Sequence, residues 1–242
     1  MKLFISPKYK GVDLGGHGGI RRVIDAQLAY FASSIVDTVE EADTVAIHAG
    51  SMVKLRSDQK VIAHCHGLYW SKYTWLLNHT AINKSVVNVM QTSDFITAPT
   101  EWVANSLRRS TYRKVDVVPH GVDPDWVPGR LNTGYVLWNK SRIDSVCDPE
   151  PVYQVAKLLP DIRFKLTVGT SGAASNIEIT GLTPYTDHAP VQNAGVYLAT
   201  AQETFGIGIL EALACGVPVV GDRKSTRLNS SHIQKSRMPS SA

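Results

Sequence analysis

Short apolar runs alternate with amphipathic stretches along most of the sequence, and no other feature constrains the fold as strongly. "KLFIS" at 2–6 has the length and composition of a buried strand. "GGIRRVIDAQLAYFA" at 18–32 then places apolar residues at helical spacing after a glycine loop. "TVAIHA" (44–49), "VIAHCH" (61–66) and "FITAPT" (95–100) read as further strands. "SKYTWLLNHTAINKSVVNVMQTSD" is mostly helical, in one piece or two. "EWVANSLRR" (101–109) is a helix with Thr100 as its N-cap, and "KVDVVPHGVD" (114–123) is a strand entering a turn. Repeated strand–helix alternation specifies parallel strands, because each parallel neighbour needs a long crossover.

"PDWVPGRLNTG" (124–134) interrupts this rhythm with Pro, Gly and Asn. A boundary is expected there, with one lobe over 1–128 and a second over 129–221. The pattern restarts with "YVLWN" (135–139) as a strand and "EPVYQVAKLL" as a helix, and it runs on to "VPVV". The expected fold class is α/β, with two consecutive doubly wound, Rossmann-like lobes. About four strands are expected in the second lobe, where such sheets hold five or six, so that lobe reads as incomplete.

A chain of 242 residues with 43% hydrophobic content has ample material for a core. Its formal net charge of +4 is concentrated at one end. Residues 222–242 carry Arg223, Lys224, Arg227, Lys235 and Arg237 against Asp222 alone, and the other residues balance. The charge therefore supports no inference of nucleic-acid binding. "DRKSTRLNSSH" and "SRMPSSA" also back-translate in frame into two parts of a common sequencing adapter, flanking a barcode-sized gap. Residues 222–242 are accordingly expected to be a non-native, disordered tail on a truncated second lobe. Activity is expected of the completed protein rather than of the chain as written.

Three cysteines without C-x-x-C spacing argue against a disulfide framework or a zinc site. The first residues contain no long apolar stretch, and no apolar run approaches membrane length. A cytoplasmic location is expected, with peripheral membrane contact left open. The glycosylation sequons at Asn78 and Asn83 read as chance in that setting.

"ETFGIGILEALACGVPVVG" (203–221) carries the strongest chemical signal. Glu203 stands just before a helix, and Glu211 lies along it. Gly206 and Gly208 open that helix, so its free N–H groups and positive end can approach an anion. Carboxylates beside an anion site accept hydrogen bonds from sugar hydroxyls. Together these groups suit a nucleotide sugar. The plainer alternative is a capped amphipathic helix with two surface glutamates.

His17, His64, His66 and His120 all fall near strand ends or loops. His66 stands out because Gly67 follows it at a strand end. His64 is expected on the same face as a supporting group, and His120 is expected to shape its turn. Trp70, Tyr73 and Trp75 follow the His-Gly pair, as core packing or as a sugar platform on the acceptor side.

Taken together, these stretches resemble the retaining glycosyltransferases of family 4, which have the GT-B fold. The likeness spans most of residues 1–221. It is carried by "GGHGGIRRVI" (15–24), "HCHGLYW" (64–70), "DFITAPTEWVANSLRR", "VDVVPHGVDPDW", "YVLWNKSRID" (135–144) and "NAGVYLATAQETFGIGILEALACGVPVVG". The resemblance implies that Glu203 contacts the donor sugar and Glu211 the ribose hydroxyls. It implies that Arg142 binds the diphosphate with help from the backbone at Phe205, Gly206 and Ile207. Gly18 and Gly19 would let a helix end face the same phosphates, and His66 would meet the donor sugar near the acceptor. The family usually has a Lys a few residues after that Arg, where this chain has Cys147 and Asp148. Lys140 is the expected substitute, on the ground that residues two apart on a strand face the same way.

The resemblance further implies transfer with retention, the leaving phosphate assisting the acceptor. No cofactor is expected besides the nucleotide-sugar donor as substrate, and no Asp-x-Asp metal motif is evident. The acceptor stays unidentified. The alternatives are another GT-B enzyme, an epimerase or a phosphorylase, and a non-catalytic sugar- or nucleotide-binding module.

Overall fold

The computed structural model describes residues 1–8, 18–51, 53–69, 77–129, 134–144, 146–201 and 203–221. The chain divides into two units, Met1–His120 and Gly121–Ala242. The division falls earlier than the expected boundary at 128/129. The cause is apolar: Val122 and Trp126 pack with Tyr135, Val191 and Val217 in the core of the second unit. The linker residues are thus part of that unit's fold.

In the first unit, strand β1 (Leu3–Ser6) leads to helix α1 (Gly19–Tyr30), then to β2 (Thr44–His48) and β3 (Lys60–His64). Helix α2 (Leu77–Thr92), β4 (Phe95–Ala98), α3 (Glu101–Thr111) and β5 (Asp116–Val117) complete it. The strands pair in parallel and in chain order, β1-β2-β3-β4-β5. Val45 and Ile47 enter one core with Val61, Ala63 and Ile96, while Ala46 points to the other face with Leu3, Ile5 and Ile24. Burial on both faces explains why these strands read as continuous apolar runs. Thr100 caps α3 as expected, its hydroxyl accepting the Val103 N–H at 3.2 Å.

The second unit holds five strands among its described residues, one more than expected. These are β6 (Val136–Trp138), β7 (Phe164–Leu166), β8 (Ile177–Ile179), β9 (Val196–Ala199) and β10 (Val219–Gly221). Helices α4 (Glu150–Leu158), α5 (Ala189–Gln192) and α6 (Ile207–Ala214) connect them. The parallel sheet runs β10-β9-β6-β7-β8, so the order reverses between β6 and β9. Leu137, Tyr197 and Ala199 fill one face, and Trp138 and Leu198 the other. Both units are α/β layers around parallel sheets.

The tail expectation for residues 222–242 lies outside the described residues, as do His17, Trp70, Tyr73 and Trp75. Among the described residues, no helix is long and apolar enough to cross a membrane.

Candidate functional site

The reversal between β6 and β9 positions the first group of candidate residues. In open parallel sheets, the carboxyl ends of the two strands flanking such a reversal leave a natural ligand position. Lys140 follows β6 and Glu203 follows β9, and their side chains form an ion pair. Only 6% of the Lys140 side chain is exposed, against 27% for Glu203. Burial pushes the Lys140 ammonium toward neutrality, but the Glu203 carboxylate and Tyr197 outweigh it and hold the group well above its ordinary pKa. Lys140 is therefore held as a cation by its Glu203 partner.

Its backbone is fixed as well. The Lys140 N–H donates to Thr167 Oγ1 at 2.8 Å, and that hydroxyl donates back to the Lys140 carbonyl at 2.6 Å. Trp138 Nε1 donates to Thr200 Oγ1 at 2.9 Å, tying the two strand exits together.

Helix α6 begins beside this pair. Gly206 occupies its N-cap at φ 78°, a left-handed conformation that costs a glycine little. Gly208 follows where a Cβ would lie 2.5 Å from the Tyr197 hydroxyl, so only glycine fits there. Phe205 is buried and anchors the turn. Glu211 is fully buried, which rules out the surface-glutamate alternative for this residue. Its Oε2 lies 3.9 Å from the position a Cβ on Gly208 would take.

Arg142 is placed differently. Strand β6 ends at Trp138, so Lys140 and Arg142 both lie in the following loop, and strand alternation does not align them. Lys140 turns inward. Arg142 is 53% exposed and pairs with Asp144. Asp144 Oδ1 also accepts the N–H groups of Val146 and Cys147, each at 2.8 Å. Partial burial raises the Asp144 carboxyl, yet Arg142 and these donors together hold it below its ordinary value.

In the first unit, four histidines, His48, His64, His66 and His120, gather in one stack. His48 ends β2, His64 ends β3, and His66 lies two residues further on. His48 Nδ1 and His66 Nε2 are 2.9 Å apart, and His48 Nε2 is 2.8 Å from Gln27 Oε1 on α1. His64 Nδ1 meets Thr97 Oγ1 at 2.8 Å. The rings stack, with centroids 4.6 Å apart for His48–His64, 5.2 Å for His48–His66 and 5.3 Å for His66–His120. Burial pushes the imidazoles down to about 2 for His48, 4 for His64, 3 for His66 and 4 for His120. All four are neutral near pH 7.

His120 therefore belongs to this stack rather than only to its turn. His48 and Gln27 escape sequence reasoning, although "TVAIHA" ends a strand on a histidine just as "VIAHCH" does. Gly18 caps α1 and Gly19 starts it, on the same helix as Gln27. Asn83 brackets the backbone of Tyr69, accepting its N–H at 2.9 Å and donating to its carbonyl at 2.8 Å.

Asp123 and Asp125 do have the Asp-x-Asp spacing that the sequence reading passes over. Asp123 Oδ2 accepts the Tyr185 hydroxyl at 3.2 Å, and its carbonyl accepts the Trp126 N–H at 3.2 Å. This pair builds a turn. Among the described residues, no three His, Cys, Asp or Glu side chains are arranged to hold a metal ion.

Comparison with known proteins bears on the whole chain. Residues 9–126 match the family model described as Glycosyltransferase Family 4. No curated protein matches the sequence. Among solved structures, WaaG, a glycosyltransferase involved in lipopolysaccharide biosynthesis, is 11% identical at a TM-score of 0.64, covering 96% of this chain and 84% of WaaG. The sucrose-phosphate synthase of Thermosynechococcus elongatus is 14% identical at 0.59, covering 84% of this chain and 60% of the synthase. TarM of S. aureus, solved with Fondaparinux, alpha-GlcNAc-glycerol and UDP, is 14% identical at 0.61, covering 80% of this chain and 43% of TarM. The likeness is one of fold, the GT-B fold. This chain spans less than two thirds of the synthase and of TarM.

Proposed function

We propose, from the match of residues 9–126 to the family 4 glycosyltransferase model and the GT-B likeness, an enzyme that moves a sugar from a nucleotide-sugar donor to an acceptor, with retention and without a metal ion or other cofactor. The observation that supports this most is the Lys140–Glu203 pair at the sheet reversal, beside the glycine-led start of α6. A departing nucleoside diphosphate carries negative charge. Lys140 meets it as a fixed cation, and the first N–H groups of α6 add partial positive charge. Arg142 is available at small cost, because exposed ion pairs such as Arg142–Asp144 contribute little.

Glu203 is assigned the donor sugar, whose hydroxyls its carboxylate accepts. Glu211 is assigned the ribose, and His66, Gly18 and Gly19 the donor sugar and phosphates, on the resemblance alone. In the transfer step the bond from the anomeric carbon to the phosphate oxygen breaks. The acceptor oxygen bonds to that carbon on the same face, and its proton passes to the leaving phosphate. No protein nucleophile is required.

The test is calorimetric titration of the purified chain with UDP, GDP and ADP, and then with their sugars. Lys140→Met should weaken nucleotide binding by about tenfold or more, the scale of one lost charge-assisted bond. Glu203→Gln should lose the contribution of the sugar and, because Glu203 holds the enclosed Lys140 charged, part of the nucleotide affinity as well. Unchanged nucleotide binding by a folded Lys140→Met variant would overturn the assignment.

A further inference from the structure

A chain of hydrogen bonds runs from α1 to the one histidine assigned to the donor, through two residues that have no assigned role. Gln27 Oε1 meets His48 Nε2 at 2.8 Å, and His48 Nδ1 meets His66 Nε2 at 2.9 Å. His48 is fully buried. Its ring stacks on His64 and His66, and His66 stacks in turn on His120. The rings are thus held in place as well as bonded in sequence.

We propose that Gln27 and His48 are positioning residues that set the tautomer and orientation of His66, so that its Nδ1 offers a lone pair to a donor hydroxyl. The direction follows from bonding capacity. An amide oxygen only accepts, so His48 Nε2 carries the hydrogen. A neutral imidazole has a single N–H, so His48 Nδ1 is an acceptor, and His66 Nε2 must donate to it. His66, neutral as well, then has its lone pair on Nδ1. A nitrogen in that state accepts from a sugar hydroxyl and gains nothing from a deoxy position. The functional consequence rests on the assignment of His66 to the donor sugar, while the tautomer assignment stands on the two hydrogen bonds and the neutrality of these buried rings.

Long-range proton–nitrogen NMR spectra of the histidine-labelled chain near neutral pH test this directly. Both His48 and His66 should be neutral with the hydrogen on Nε2. A hydrogen on Nδ1 of either ring would reverse the relay and overturn the proposal. Gln27→Leu removes the acceptor and should leave His66 as a mixture of tautomers. Gln27→Glu keeps an acceptor that cannot donate, and should restore the single form. The same pair should shift donor affinity in step, several-fold weaker for Gln27→Leu and recovered for Gln27→Glu. An unchanged His66 spectrum in Gln27→Leu would sink the relay. Absence of nucleotide-sugar binding by the unaltered chain would instead sink the enzyme assignment and leave the tautomers as assigned.

Discussion

Lys140 and Glu203 leave the carboxyl ends of two neighbouring strands, β6 and β9, and close the gap between them with an ion pair. The two partners differ in surroundings. The ammonium is enclosed and the carboxylate is partly wet. Removing one partner is therefore not equivalent to removing the other. Glu203→Gln strands an enclosed charge and should destabilise the second unit by about 3 kcal/mol. Lys140→Met leaves a carboxylate that water can reach and should cost less. The double variant should recover part of the Glu203→Gln loss. Urea unfolding of all four proteins reads this cycle, and additive losses would show that the pair is not coupled.

Gly208 tests the packing at the start of α6. A methyl group there would lie 2.5 Å from the Tyr197 hydroxyl, which itself donates to the Asn139 carbonyl at 3.3 Å. Gly208→Ala should push the helix start outward at a cost of about 1–3 kcal/mol. Nucleotide affinity should fall with it. Combining Gly208→Ala with Tyr197→Phe removes the clashing oxygen and should restore most of the stability. A fully stable Gly208→Ala single variant would contradict the close approach.

The histidine stack predicts acid sensitivity. Burial, followed by the neighbouring imidazoles, pushes His48 down to about 2, and burial brings His64 to about 4. In the unfolded chain these rings titrate near the ordinary value of about 6.5. As pH falls below that value the unfolded state takes up protons first, so stability is full above it and declines progressively toward the folded values. Thermal melts should show Tm falling from about pH 6.5 downward, with a shallower fall in His120→Phe. A flat profile to about pH 4 would mean the rings are solvated.

Thr100 serves as the control, a capping residue with no role assigned in either candidate group. Its hydroxyl caps α3 through the Val103 N–H. Thr100→Ala should cost about 1 kcal/mol of first-unit stability. Nucleotide binding, assigned to Lys140, Arg142, α6, Gly18 and Gly19, should not change. A parallel loss of affinity would show that binding follows global stability rather than the residues of the site.

The elements themselves were legible because their signals are local. β2, β3 and β4 announce themselves as apolar runs, and α3 by its cap and periodicity, all within a dozen residues of chain. The glycine-led start of α6 was legible for the same reason, since a left-handed N-cap and a missing Cβ are properties of single positions. Other features depend on residues far apart in sequence. Val122 and Trp126 look like linker until the second unit's core closes over them. Arg142 looks like a strand neighbour of Lys140 until β6 ends at Trp138, two residues before Lys140.

By itself, then, the sequence determined an alternating α/β chain with a glycine-led helix start, because periodicity, capping and turn chemistry act over one or two turns of backbone. Only the tertiary structure decided that Lys140 meets Glu203 across 63 residues, that Gln27 meets His48, and that the strand order reverses between β6 and β9. Those choices depend on which strands pair. Pairing is a contest between distant apolar faces for burial, and no local stretch of sequence records its outcome.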